Sequence, residues 1–446
     1  MSLPQDYRTS RLSRILIISA YLFILSAPLT CAKLQGPEMG KQDLLFEISN
    51  DLILIIFPLL ALQPMLAARF RHLDRSFGLD TIYVFHKIMG MTAGTLLACV
   101  PIFFAAGGSD TPTIGLAQTG QIALSAAGAA LLLVLVVTAL LYQELRMNYE
   151  QWRRLHNVLA LTVLLLVFAY GIFFTAAHTP GPVTIIWVLL FIATIAAYIN
   201  HKFIGPYRRR KHSYRVEGIA RETHNVWTLT LAPPEGMARF EFFPGQFQFL
   251  TFSLGNRSEE HPFTISSSPT QHGFITSSIK ESGDFTKSIK EIRVNDRVAI
   301  QGPFGRFSYV LHPEEHDLVF IAGGIGITPF MSMLRQLRDT KADKDVLLLY
   351  ASISEQDIVF REELDSIAAG KYPRLNVVHI LSKPTAEWRG ERGHIDRGVI
   401  QKYCQRDLRT RSFYICGPPA MMTALIATVI ELGVPSSHVR SERFAL

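Results

Sequence analysis

Cysteine is scarce in this chain: Cys31, Cys99, Cys404 and Cys416 are the only four in 446 residues. No two of them share a C-x-x-C spacing, so neither a zinc ribbon nor a disulfide framework is indicated. Internal repeats and low-complexity tracts are also missing, which sets aside repeat architectures and compositionally biased linkers. Charge is thin, with 18% of residues ionisable as Asp, Glu, Lys or Arg, and acids are the minority, leaving a net charge of +7. The surplus basic residues are spread over short loops between apolar runs, so no nucleic-acid partner is needed to explain them.

Apolar residues are abundant, at 49% of the chain. The excess lies before residue 205, in runs near 13–31, 48–68, 81–106, 121–142, 157–177 and 182–203. Each is about 18–25 residues long, the length that crosses roughly 30 Å of hydrocarbon as a helix. Arg11 and Arg14 precede the first run in the manner of a signal peptide, but no A-x-A cleavage site follows, so a retained helix is expected. Cys31, in "PLTC", makes a poor lipoprotein signal. Basic residues recur in alternate loops: Arg8, Arg11 and Arg14; Arg69, Arg71 and Arg75; Arg146, Arg153 and Arg154; then Lys202 and 208–211. The positive-inside rule therefore expects a multi-pass protein of a bacterial inner membrane with both termini cytoplasmic. The run "GPYRRRKHSYR" at 205–215 reads as a basic linker against an anionic membrane surface.

From about residue 212 the pattern changes to short alternating runs punctuated by Gly and Pro, such as "VWTLTLAP" and "QFQFLTFSL". These predict a small antiparallel β-barrel ending near residue 311. Strand-like and helix-like runs then alternate from "DLVFIAGG" to "SFYICG", which predicts an α/β doubly wound parallel sheet. The expected domains are 1–205, a six-helix transmembrane bundle; 206–212, a linker; 213–312, the barrel; and 313–446, the nucleotide-binding domain. "FIAGGIGITPFMSML" reads as strand, glycine-rich turn and helix start. Gly323, Gly324 and Gly326 allow close approach of a pyrophosphate, and the helix beginning at Thr328 and Pro329 offers free N–H groups. Such a turn is by itself weak evidence, since many α/β turns look alike.

"HPFTISSSP" at 261–269 is more specific, and with it the segment resembles the ferredoxin–NADP reductase superfamily, in particular the cytoplasmic half of ferric reductases and NADPH oxidases. The resemblance implies that Phe263, next to Pro262, stacks on the isoalloxazine of FAD, that the Thr264 hydroxyl faces flavin N5, and that His261 stands near the FAD phosphates. It implies contacts of Gly283 and Thr286, in "SGDFT", with phosphate or ribityl groups, and a turn at the flavin–nicotinamide interface made by "GPFG", Gly302 to Gly305. "CGPP" places Cys416, Gly417 and Pro418 beside the hydride path. The family ends in an aromatic that shields the flavin; Phe444 is the candidate here, followed by Ala445 and Leu446. Thr264, Cys416 and Phe444 are the expected catalytic residues. For the nucleotide, Ser352 and Arg361 are candidate partners of a 2′-phosphate, which favours NADPH, although a solvated loop explains them equally well.

In the membrane half, "YVFHKIMG" and "YEQWRRLHNVLA" resemble the starts of the third and fifth helices of the ferric reductase transmembrane domain. His86 and His156 then share a depth near one face of the membrane and are the expected axial ligands of a haem b, with capping of polar groups at a helix interface as the alternative. The family carries a second histidine 13 or 14 residues onward on each helix, about 20 Å higher at 1.5 Å per residue. Here those positions hold Cys99 or Val100 and Ala169 or Tyr170, so one haem is expected. His72 and His178 read as loop residues, and Glu47 and Asp51 as carboxylates suited to a helix N-terminus.

Together these readings predict a membrane flavohaem oxidoreductase taking electrons from NAD(P)H through FAD to the haem and on to a small-molecule acceptor. A quinone or another acceptor reached within the membrane is expected; the alternatives are outward reduction of ferric iron or oxygen, and a flavin reductase whose helices are only an anchor.

Overall fold

The computed structural model describes residues 11–34, 44–107, 116–175, 181–254, 257–283, 285–405 and 407–442. Phe444 and His178 lie outside these, so their expected roles have no structural counterpart here. The chain divides into two compact units at Ile204 and Gly205.

The first unit is a helical bundle. Its elements are α1 (Arg11–Leu34), α2 (Leu44–Ala67), the short α3 (Arg71–Phe77), α4 (Leu79–Gly107), α5 (Leu116–Leu141), α6 (Tyr149–Tyr170) and α7 (Pro182–Ile199). All but α3 are long and apolar enough to cross a membrane, and the chain is a multi-pass membrane protein. The helices start earlier than the apolar runs alone suggest. In α6 the polar stretch "YEQWRRLH" is already helical, so His156 lies two turns inside the helix. The charged loop "RHLDRSF" is itself helical, as α3. Buried Asp74 there accepts the Leu79 N–H at 3.1 Å, which anchors the start of α4, while His72 is exposed.

Helix α2 is the centre of the bundle, packed against α1, α4, α6 and α7. It tolerates Pro58 and Pro64 because a backbone group released by a proline in a membrane helix finds partners on neighbouring helices. Thr194 of α7 works in that setting, donating to the carbonyls of Ala61 and Leu190 at 3.0 and 2.8 Å. Helix α6 ends in a wider π turn, Gly171–Thr175. A Cβ at Gly171 would fall 1.2 Å from the Trp187 ring, so the indole packs directly on the glycine backbone.

The second unit opens with α8 (Gly205–Lys211), which carries the basic run, and then forms two sheets. The first has the order β4-β3-β6-β1-β2-β5, all neighbours antiparallel, from β1 (Tyr214–Thr223), β2 (Val226–Ala232), β3 (Phe247–Leu254), β4 (Arg257–Thr264), β5 (Ile275–Lys280) and β6 (Arg297–Phe304). The antiparallel sheet of the expected small barrel is formed, but it does not close. After Thr264 the chain leaves the edge strand β4 and meets the other edge, β5, through one backbone bond, Ser266 N–H to the Thr276 carbonyl, and through hydroxyl contacts of Ser266 with Thr276 and Ser278. Side-chain hydroxyls bridge the gap that a ladder would fill.

The second sheet is parallel throughout, in the order β10-β9-β8-β7-β11-β12, with β7 (Asp317–Gly323), β8 (Asp345–Ser352), β9 (Arg374–Leu381), β10 (Glu391–Arg392), β11 (Ser412–Cys416) and β12 (Val439–Ser441). Helices α9 (Thr328–Asp339), α10 (Arg361–Ala368), α11 (Arg397–Tyr403) and α12 (Pro419–Glu431) connect its strands. Apolar clusters cover both faces, and accordingly β7 and β11 are almost wholly buried, as a parallel sheet requires. The two sheets are tied through α9. Ser332 donates to the Ser267 carbonyl at 2.6 Å, Arg335 donates to that of Ser266 at 2.6 Å, and Thr270 donates to Asp339 at 2.5 Å.

Candidate functional site

The flavin-side residues gather at the end of β4 that leads into the 265–268 loop. Strand pairing sets Phe263 opposite Gln248 and Thr264 opposite Phe247. Alternation then turns the two side chains to opposite faces of the sheet. Phe263 is half-buried and offers an aromatic face, whereas Thr264 is 5% exposed. A short relay holds the Thr264 backbone: the Ser277 hydroxyl donates to its carbonyl at 2.9 Å and accepts from Gln248 Nε2 at 3.1 Å. Gln248 is absent from the sequence reading, since a lone glutamine in a strand carries no motif.

His261 stacks on Phe285 at 4.2 Å and contacts Glu259 at 3.1 Å, so its imidazole has an acidic as well as an aromatic neighbour. In "SGDFT" the Thr286 hydroxyl accepts the N–H groups of Ser282 and Gly283 at 2.9 and 2.8 Å. The expected "GPFG" turn is instead the end of β6, and only Gly305 lies beyond the strand. Gly305 has φ +95°, and a Cβ there would come within 2.5 Å of Glu442 Oε1. Glu442, 9% exposed, is therefore a second acid of this region that sequence reasoning missed, because its neighbours come from a distant strand.

The nucleotide-side motifs also converge. Gly323 ends β7, Gly324 to Ile327 form a 3₁₀ turn, and α9 starts at Thr328 with Pro329 in its first turn. Gly323 and Gly417 pack backbone to backbone, and a Cβ on Gly417 would lie 3.1 Å from Gly323 Cα. Gly326 is equally confined, 2.4 Å from the Cys416 carbonyl by the same measure. Gly324 differs, for it has φ +55° and open space where a side chain would be.

That space belongs to a cavity of roughly 310 Å³ lined by Gly323, Gly324, Ser352, Pro418 and His394 from the parallel sheet's side and by Asn225 and Lys280 from the antiparallel sheet. Asp357 also lines it. Its Oδ2 accepts the N–H and hydroxyl of Ser354 at 3.1 and 2.6 Å, which fixes the carboxylate. Arg361, the expected partner of a 2′-phosphate, is not among the lining residues; its guanidinium lies 5.9 Å from the Trp388 ring. The Cys416 thiol is fully buried, and burial pushes its pKa up, so the group stays a thiol at neutral pH.

In the bundle, α4 and α6 each pack on α2 and α5 but barely on one another. His86 of α4 and His156 of α6 face each other across that gap with ring centroids 6.4 Å apart. Two imidazoles sharing one metal through ring nitrogens at about 2 Å each have centroids roughly 6 Å apart. Both Nδ1 atoms are buried and have no hydrogen-bond partner among the described residues. This donor pair fits one metal centre.

At the positions of the family's second histidines, and just beyond them, the core is filled. Val100, Phe104 and Tyr170 are at most 2% exposed, Phe104 lies 6.3 Å from Tyr170, and Trp187 lies 4.4 Å from Phe57. Cys99 is only partly buried. Asp51 and Glu47 are engaged by Lys33 at 2.8 and 2.7 Å.

A flavin-type antiparallel sheet, a parallel nucleotide sheet and a shared cavity, fused to a membrane bundle, define an NAD(P)H-dependent membrane oxidoreductase. Comparison with known proteins agrees. Residues 52–167 match the ferric reductase like transmembrane component, 213–309 the oxidoreductase FAD-binding domain and 320–426 the oxidoreductase NAD-binding domain. The chain thus has the architecture of the ferric reductase / NADPH oxidase family. The NADH-cytochrome b5 reductase 1 of Meyerozyma guilliermondii is 27% identical over 270 residues, 58% of this chain and 95% of that protein. The glycine betaine monooxygenase reductase subunit of Chromohalobacter salexigens is 29% identical over 240 residues, 52% of this chain and 64% of that protein. Among solved structures, a flavohemoglobin from Malassezia yamatoensis with bound FAD and heme is similar in fold, with a TM-score of 0.51 at 18% identity over 89% of this chain and 99% of that one.

Proposed function

We propose that the protein is a flavohaem oxidoreductase of a bacterial inner membrane, with both termini cytoplasmic. It carries electrons from a nicotinamide nucleotide through FAD and one haem b, held by His86 and His156, to a quinone or another acceptor reached within the membrane. When bound, the flavin takes a hydride from the nicotinamide and releases its two electrons singly, which suits a one-electron haem. The chain's own part is to bind, orient and shield. Phe263 supplies stacking area for the isoalloxazine. The Gln248–Ser277 relay holds Thr264 beside it, and Gly283, Thr286 and His261 bind the ribityl and phosphate end. Gly302 and Gly305 keep side chains out of the flavin–nicotinamide contact. Gly323, Gly324 and Gly326 and the start of α9 at Thr328 and Pro329 receive the pyrophosphate. The backbone of Cys416, Gly417 and Pro418 borders the nicotinamide, and Ser352 the ribose.

For the nucleotide the reading is NADH, opposite to the expectation drawn from Ser352 and Arg361. A carboxylate in the cavity accepts hydrogen bonds from ribose hydroxyls and repels a 2′-phosphate. Asp357 is that carboxylate. The names of the cytochrome b5 reductase relatives, which specify NADH, point the same way.

The haem assignment rests on the 6.4 Å separation of His86 and His156 across the gap between α4 and α6. The packed core around Val100, Phe104, Tyr170 and Trp187 supports a single centre and hence an acceptor met inside the membrane. Purified full-length protein is expected to give one haem per chain in a pyridine haemochrome assay, and His86→Ala and His156→Ala to lose the Soret band. Survival of the band in either variant overturns the ligand assignment; two haems per chain in the parent overturn the acceptor reading.

A further inference from the structure

Trp152 lies one helical turn before His156 on α6, so the two rings share a face. Their centroids are 5.3 Å apart. The indole is also stacked on Tyr142 at 5.0 Å and 27° and tilted against Tyr149 at 5.5 Å, while Arg153 lies over the Tyr149 ring at 5.7 Å. Packing explains all of these contacts. It does not explain the indole nitrogen: Nε1 of Trp152 is buried and has no hydrogen-bond partner among the described residues. A buried indole N–H ordinarily finds an acceptor, and an orphaned one is destabilising.

We propose that Trp152 completes the centre formed by His86 and His156, its indole N–H donating to a carboxylate carried by the bound group. This rests on the haem reading above, since a haem carries two propionates. The acceptor is anionic on electrostatic grounds. Arg153 and Arg154 follow Trp152 directly, Arg146 lies in the preceding turn, and Lys202 acts electrostatically on His156. Glu150, the acid nearest in sequence, accepts from Arg153 through Oε2 at 2.8 Å and leaves Oε1 buried without a partner among the described residues, so neither of its oxygens takes the indole N–H. A carboxylate is also driven to this end of α6, because charge is costly deeper in the hydrocarbon. Trp152 is thus a positioning residue: it orients the group's edge and, by withdrawing charge from the carboxylate, raises the reduction potential.

The test uses full-length protein in detergent, comparing the parent with Trp152→Phe, which keeps a ring without the donor, and Trp152→His, which restores an N–H. Haem content, the rate of haem transfer to apomyoglobin and the spectroelectrochemical midpoint potential are measured. Trp152→Phe is expected to hold one haem, release it roughly tenfold faster and show a lower midpoint potential, as loss of a charge-assisted hydrogen bond implies. Trp152→His is expected to recover most of both effects. Parent-like transfer and potential in Trp152→Phe overturn the donor role while leaving the haem reading intact. Equal loss of haem in both variants overturns it in favour of packing alone, and a parent without haem overturns the function reading itself.

Discussion

Asp357 shows how a single side chain redirects a reading. In sequence it is one acid among several in "SISEQDIVFREEL", and Arg361 four residues later is the more conspicuous group. In the fold the carboxylate lines the cavity beside the glycine-rich turn, clamped by Ser354, while Arg361 turns to Trp388. Asp357→Asn keeps an oxygen for the Ser354 cap and removes the charge. The ratio of kcat/KM for NADH over NADPH, measured with a soluble acceptor, is expected to fall about tenfold, the worth of one charged hydrogen bond plus relief of one repulsion. An unchanged ratio removes Asp357 from nucleotide selection. The histidines were legible at this scale, because ionisable residues in long apolar runs are rare enough to stand out. Trp152 was not, for its meaning lies in an unpaired nitrogen that only packing reveals.

Among the elements, α9 carries the glycine-rich turn at one end and the tie between the sheets along its side. Arg335 forms a two-bond pair with Glu363 of α10, at 2.9 and 2.5 Å, and reaches the Ser266 carbonyl beyond the flavin strand. Burial by itself would raise the Glu363 pKa; the hydrogen bonds and charge of Arg335, with help from Arg338, reverse that and hold it below the ordinary glutamate value. A depressed carboxyl pKa stabilises the fold above the unfolded-state value of about 4.3 and stops doing so as pH falls through the folded-state value. Arg335→Ala is therefore expected to cost about 2 kcal/mol at pH 7, and the difference from the parent to shrink below pH 4. Denaturant titration followed by loss of flavin fluorescence reads both. A pH-independent difference shows that Arg335 acts by packing only. The strands and helices around this tie were readable from their alternating and helical periods, whereas the open edge between β4 and β5 was not. Closure depends on whether the chain after β4 runs on along β5 as a ladder or meets it through a single backbone bond and hydroxyl contacts, and periodicity is silent on that.

For the whole molecule the consequential feature is the asymmetry of the bundle. One part of the gap between α4 and α6 holds the imidazole pair, and about 20 Å further along those helices the interior is solid with Phe104, Tyr170, Trp187 and Phe57. In sealed vesicles with NADH on the side of the FAD module, reduction of a membrane-permeant quinone is expected, and reduction of an impermeant ferric chelate on the far side is not. Appreciable far-side reduction overturns the acceptor reading and restores outward metal reduction.

The sequence by itself determined the membrane character, the order of the domains, the flavin and nucleotide motifs and the two histidines. Each of these is written in local terms, as run length against hydrocarbon thickness, alternation against a sheet face, or glycines ahead of a helix. Tertiary structure alone decided the separation of His86 and His156, the filling of the bundle interior beyond them, the unclosed flavin sheet, the entry of Asp357 into the cavity and the unpaired indole of Trp152. All of these depend on contacts between residues far apart in the chain, and which side chains fill a shared space is settled by packing that no local pattern encodes.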